Sequence, residues 1–136
     1  MTNSGRLYFH ASNLDYTEMD IYYSNIKNDE VSPAVKAFIP LQNSESPKCT
    51  PYVSPSEDYL IYASVGTHLD LMIAFNDGNG QWANPRKLNN AINSDGQGNP
   101  FVTPDGRFLF YTTGKANGED WNIRWVNIET EIKNGH

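Results

Sequence analysis

The fourteen residues PFVTPDGRFLFYTT, from Pro100 to Thr113, repeat PYVSPSEDYLIYAS, from Pro51 to Ser64, without a gap. Pro51, Val53, Pro55, Leu60 and Tyr62 return as Pro100, Val102, Pro104, Leu109 and Tyr111. Ser54 and Ser64 return as Thr103 and Thr113, and Tyr59 as Phe108. A match this dense at one fixed offset means one structural unit used more than once. A second landmark keeps the same ruler: DIYYS starts at Asp20, DLMIA at Asp70 and NIRWV at Asn122. GRLYFHAS, from Gly5 to Ser12, aligns with GRFLFYTT, from Gly106 to Thr113, and sets His10 opposite Tyr62 and Tyr111 as a packed strand residue. The chain therefore divides into units over 1–49, 50–98 and 99–136, the first and last incomplete.

Within each unit the signals are those of strands. RLYFHAS, DIYYSNI, TPYVS, YLIYAS, DLMIAF, PFVT, FLFYTT and NIRWVNI are short and rich in β-branched and aromatic residues, with Gly, Pro, Asn, Asp and Ser between them. SPSED and TPDGR read as tight turns, with proline presetting φ, and NDGNGQW reads as a hairpin turn. The best helical candidate, Ala34 to Leu41, is interrupted by Pro40 and follows Pro33. The weaker fourth strands are PRKLNN and AFIPLQ. Four antiparallel strands per ~40–50 residues is the period of a β-propeller blade. The expected fold class is all-β: four-stranded antiparallel blades, about three per chain, in an incomplete ring.

The pattern P-x-V-[ST]-P-[DS]-[GE]-x-x-L-x-Y, then [DN]-[IL], then WANPRKLNNAINS from Trp82 to Ser94, resembles the TolB-type, or WD-like, propeller repeat. The resemblance spans nearly the whole chain and is carried best by the middle unit. It implies a blade scaffold, a bacterial setting and an extracytoplasmic, periplasmic location. Family rings close with about six blades, more than this chain holds. The chain is then either part of a longer propeller or one of several copies completing a ring. Taking Met1 to His136 as the whole chain favours a homo-oligomer, most simply a two-fold dimer, with Arg6, Leu7, Trp121 and Trp125 near the contact.

Composition narrows the partners. The net charge is −6, and the ten Lys and Arg are scattered, which argues against nucleic acid. No run of about 18 apolar residues predicts a membrane span. MTNSGRLYF lacks a signal-peptide layout, so the protein is cytoplasmic or the chain starts after a removed signal. The single cysteine, Cys49, forms no intrachain disulfide and reads as a small residue beside a strand.

Ligands dock in propellers on the loops joining strands two and three and on those leading to the next blade. Here those are 13–19, 65–69 and 114–121, with 43–49 and 93–99. They single out Tyr16, His68, Asp95, Lys115 and Asp120, for each of which the default reading is a solvated loop residue. Metal spacing is absent: counting from Asp77 puts Leu88 where a calcium loop needs glutamate, and His10, His68 and His136 have no zinc spacing. No cofactor is expected, and no nucleophile motif occurs. The leading functional expectation is a non-catalytic scaffold holding a protein, peptide or glycan. The alternative is a propeller hydrolase or lyase acting on a carbohydrate or lactone through Asp70, Asp95 and Asp120.

Overall fold

The structure, a computed structural model, describes residues 1–40, 46–115 and 118–135. It is all-β, with every strand pair antiparallel. Sheet 1 holds β1 (Arg6–Ser12) and β2 (Met19–Lys27), with β3 (Glu30–Val31) and β4 (Val35–Lys36) both on β2. Sheet 2 runs in order through β5 (Lys48–Val53), β6 (Tyr59–Val65), β7 (Leu69–Asn76) and β8 (Trp82–Lys87). Sheet 3 holds β9 (Gly96–Val102), β10 (Phe108–Gly114) and β11 (Asn122–Asn127), followed by the short helix α1 (Glu129–Lys133).

The turn chemistry repeats with the sequence. Ser54 Oγ accepts from the amides of Asp58 and Tyr59, and Thr103 Oγ1 accepts from that of Phe108. Backbone bonds from Ser54 N to Tyr59 O and from Thr103 N to Phe108 O close both turns. Each turn needs one residue at positive φ, and it falls on Glu57 (φ 61°) in one copy and Gly106 (φ 72°) in the other. In NDGNGQW, Asp77 Oδ1 accepts from the amides of Asn79 and Gln81, which confirms a hairpin turn.

Sheet 2 carries apolar residues on both faces, and this builds the core. Leu60, Tyr62, Ala74 and Trp82 face sheet 1 and pack with Ile21, Ala37 and Ile39. Tyr59, Ile61, Ala63, Leu71, Ile73 and Phe75 face the other way, against Val102, Leu109, Tyr111 and Ile128. The period of two along β6 and β7 thus feeds two interfaces at once. Sheets 1, 2 and 3 stack in sequence order, and the described residues close no ring.

Register fixes which residues are equivalent. The third residue of each landmark, Tyr22, Met72 and Arg124, pairs with Phe9, Tyr62 and Tyr111. Phe9, not His10, therefore stands where Tyr62 and Tyr111 stand. The gap-free alignment of GRLYFHAS is off by one residue, and a one-residue slip turns a side chain to the opposite face. His10 is exposed, and its Nδ1 accepts a 3.3 Å hydrogen bond from the Thr50 amide of sheet 2.

The fourth strand of sheet 1 is shorter than expected, and sheet 3, as its incomplete unit implies, has none among the described residues. In sheet 1, pairing stops at Lys36. Ala37 still donates to Ile21 O, and then Pro40, which has no N–H, ends the run; Leu41 and Gln42 of AFIPLQ lie outside the described residues. In sheet 3, α1 follows β11 where a strand would be. It is anchored on sheet 2 by Arg86, whose guanidinium donates to a Glu131 carboxylate oxygen (2.6 Å) and to Glu131 O (2.7 Å).

Candidate functional site

The loops following β1, β6 and β10 leave their sheets at equivalent ends, as do the linkers into β5 and β9. The loop after β1 is ordered by its own side chains. Asn13 Oδ1 accepts from the Glu18 amide, Asn13 Nδ2 donates to Thr17 Oγ1, and Thr17 Oγ1 donates to Asp15. These bonds hold Tyr16 at φ 59° with its ring in solvent. Asp15 sits below the usual carboxylate range because Thr17 hydrogen-bonds its charged form.

A cleft of about 780 Å³ opens between this loop, the end of β4 and the start of β5. Its polar lining includes Ser12, Asn13, Thr17 and Glu18, and Tyr22 and Phe38 add aromatic rings. At its base Asp20 holds two lysines: Lys36 Nζ at 2.7 Å and Lys48 Nζ at 3.7 Å. Lys48 is nearly buried, so the ion pair sits in a partly dry setting. Burial, together with the nearby Asp20 charge, pushes the Tyr62 phenol up to about 12.

The arrangement recurs one unit on. Asp70 stands where Asp20 stands, and it is held by Lys87 Nζ at 2.5 Å and His68 Nε2 at 3.2 Å. Lys36 and Lys87 are equivalent, since each pairs across from the third landmark residue, Tyr22 or Met72. In sheet 3 the landmark is Asn122, and a contact between Lys115 Nζ and Asp120 Oδ2 (2.5 Å) occupies the loop instead. The position of Lys48 becomes Gln97 in the next unit; it is fully buried, with Nε2 3.3 Å from Thr113 Oγ1.

Of the residues singled out from sequence, His68 is drawn to Asp70, and Lys115 to Asp120. Tyr16 and Asp95 are exposed on separate loops. No contact among the described residues joins these groups into one constellation. His136, and parts of the loops 43–49 and 114–121, lie outside the described residues. Asp20, Tyr22, Lys36 and Lys48 did not emerge from sequence. Their signal was the recurring Asp20 and Asp70, each followed in its fourth strand by a lysine; unequal hairpin lengths hid the pairing.

Two further residues gain a role. Asn93 Oδ1 accepts from the Leu71 amide, and its Nδ2 donates to the carbonyls of Leu71 and Leu88. An amide side chain thus completes the edge of β7 where β8 has ended, which gives WANPRKLNNAINS a physical reason. Burial pushes the Cys49 thiol up, and this disfavours a reactive thiolate.

Chemically, the site offers hydroxyls, amides, two rings, the Glu18 carboxylate, and the Asp20 carboxylate already paired with two lysines. Such a surface can bind a polar ligand by exchanging hydrogen bonds. It does not present two carboxylates free to divide acid and base roles. No protein-family model and no curated protein matches the chain.

Proposed function

We propose that the chain is an arc of three TolB-type β-propeller blades acting as a non-catalytic binding scaffold. Its loop face takes a protein, peptide or glycan ligand in the cleft between Ser12, Tyr22 and Lys48. The observation that carries this reading is the pairing of the carboxylates: Asp20 with Lys36 and Lys48, Asp70 with Lys87 and His68, Asp120 with Lys115. Each of these carboxylates is engaged in an ion pair within the fold rather than left open to a substrate. The propeller assignment is supported by three stacked sheets with equivalent strands, turns and ion pairs.

Titration of the ¹⁵N-labelled protein with neutral oligosaccharides and with short peptides is the test. Amide shifts are expected on the loop face, concentrated at Ser12, Tyr22, Lys36 and Phe38, and reduced in Tyr22→Ala. Turnover of a chromogenic glycoside or lactone, abolished in Asp70→Asn, would establish the hydrolase reading instead.

A further inference from the structure

The stack leaves two sheet faces open, and they are complementary rather than alike. On sheet 3 the outward face carries Phe101, Phe110, Ile123 and Trp125, exposed by 52%, 37%, 75% and 62%. Register makes these the equivalents of Tyr52, Ile61, Leu71 and Ile73 on sheet 2. In sheet 2 Ile61, Leu71 and Ile73 are fully buried, because sheet 3 covers them. The outward face of sheet 3 is therefore a covered face without its cover.

What covers such a face is also fixed within the chain. Sheet 2 presents Leu60 and Tyr62 to sheet 1, and sheet 3 presents Leu109 and Tyr111 to sheet 2. The equivalent residues of sheet 1 are Leu7 and Phe9, and they point away from sheet 2. Leu7 is 42% exposed, and Phe9 stacks on Tyr22 with ring centroids 6.3 Å apart. Each chain thus carries one unmatched face of each kind, and a second copy supplies what the first lacks.

We propose that the outward face of sheet 3 docks on the outward face of sheet 1 of a second copy. Two such contacts close a two-fold ring of six sheets. The inference rests on the blade reading above. Three strands of six to seven residues cover roughly 20 by 15 Å, so one contact alone is small. Closure engages both faces of each chain and approaches the ~800 Å² per partner of a stable interface. The contact is head-to-tail, so each chain uses two different surfaces. Arg6 is not part of it, because its guanidinium turns to Glu57 of sheet 2.

Sedimentation at micromolar concentration reads the outcome. The wild type is expected at twice the 15.3 kDa of one chain. Leu7→Glu and Trp125→Glu, each checked by far-UV circular dichroism, are each expected to be monomers. Mixing the two leaves only one of the two contacts intact, so the mixture is expected to stay largely monomeric. A wild-type monomer, or a Leu7→Glu variant that still dimerises, overturns the proposal. A monomer that keeps the ligand shifts at Ser12 and Thr17 leaves the scaffold reading standing.

Discussion

Glu57 sets two effects against each other. It occupies the left-handed region (φ 61°) where the next unit has Gly106, and that conformation costs a side-chain-bearing residue ~1–2 kcal/mol. In return its carboxylate, which is largely buried, accepts hydrogen bonds from Ser4 (2.6 Å), Arg6 (3.2 Å) and Tyr8 Oη (3.0 Å), tying sheet 1 to sheet 2. A hydrogen bond to a charged group contributes ~1.5–3 kcal/mol. The Arg6 arm, about one-third exposed, is worth under ~1 kcal/mol, and the Ser4 arm is at the surface. The network then stabilises by ~3 kcal/mol. Glu57→Gly relieves the strain and loses the network, for a net loss of ~1–2 kcal/mol by urea unfolding. Gly106→Ala isolates the conformational part: a Cβ there meets nothing within 4 Å, so only the ~1 kcal/mol of φ strain is added. A Glu57→Gly protein as stable as the wild type, or more so, would refute the reasoning, because strain would then outweigh the tie.

Leu109 is fully buried between sheets 2 and 3, so Leu109→Ala is expected to cost ~2–5 kcal/mol in the same assay; a loss under ~0.5 kcal/mol would place it at the surface. Burial pushes Tyr8 and Tyr62 up to about 12. A phenol held protonated in the fold stabilises fully below about pH 10, its ordinary ionisation range, and that contribution is lost as pH rises through the folded value. Stability is therefore expected to fall between pH 10 and 12, with a late tyrosinate absorbance step that Tyr62→Phe diminishes; an unchanged step removes Tyr62 from that group. Lys48 is nearly buried against Asp20, so Lys48→Met is expected to change stability by under ~1 kcal/mol. Asp20→Ala, which strands Lys48, is expected to cost roughly 3 kcal/mol; equal losses would contradict the ion-pair account.

The repeat made the antiparallel sheets and their order legible. The same hydroxyl, proline and positive-φ residue recur in both copies of the turn, and the strands alternate with period two. The slip at His10 was not legible. Gly5 and Gly106 look alike, but the Gly5 loop leads into β1 one residue sooner, and only cross-strand pairing shows it. Helix α1 was missed because its five residues carry no amphipathic period of their own; Arg86 and Asn89 hold Glu131 from another sheet. The Asp20–Lys48 contact was hidden because it crosses from one unit to the next, and an alignment within units does not show it.

The two interfaces are built from the same repeat by different means. Between sheets 2 and 3, where Gly106 and Gln97 stand, the contact is made by a long series of buried apolar side chains, with Arg86 and Asn89 adding bonds to Glu131 of α1. Between sheets 1 and 2 the apolar cluster is smaller, and the polar ties of Glu57, Lys48 and His10 are added to it. Glu57 and Lys48 occupy the positions at which Gly106 and Gln97 depart from them. The chain therefore spends its sequence variation where its core is thinnest. The exposed arms of these ties, such as His10 and the Arg6 guanidinium, are more easily screened than buried hydrocarbon. The candidate cleft lies at that junction, with its base set by Asp20 and Lys48. A ligand bridging Tyr22 and Lys48 would engage both sides of it and stabilise the less apolar of the two contacts, which gives binding a direct route to the stability of the stack.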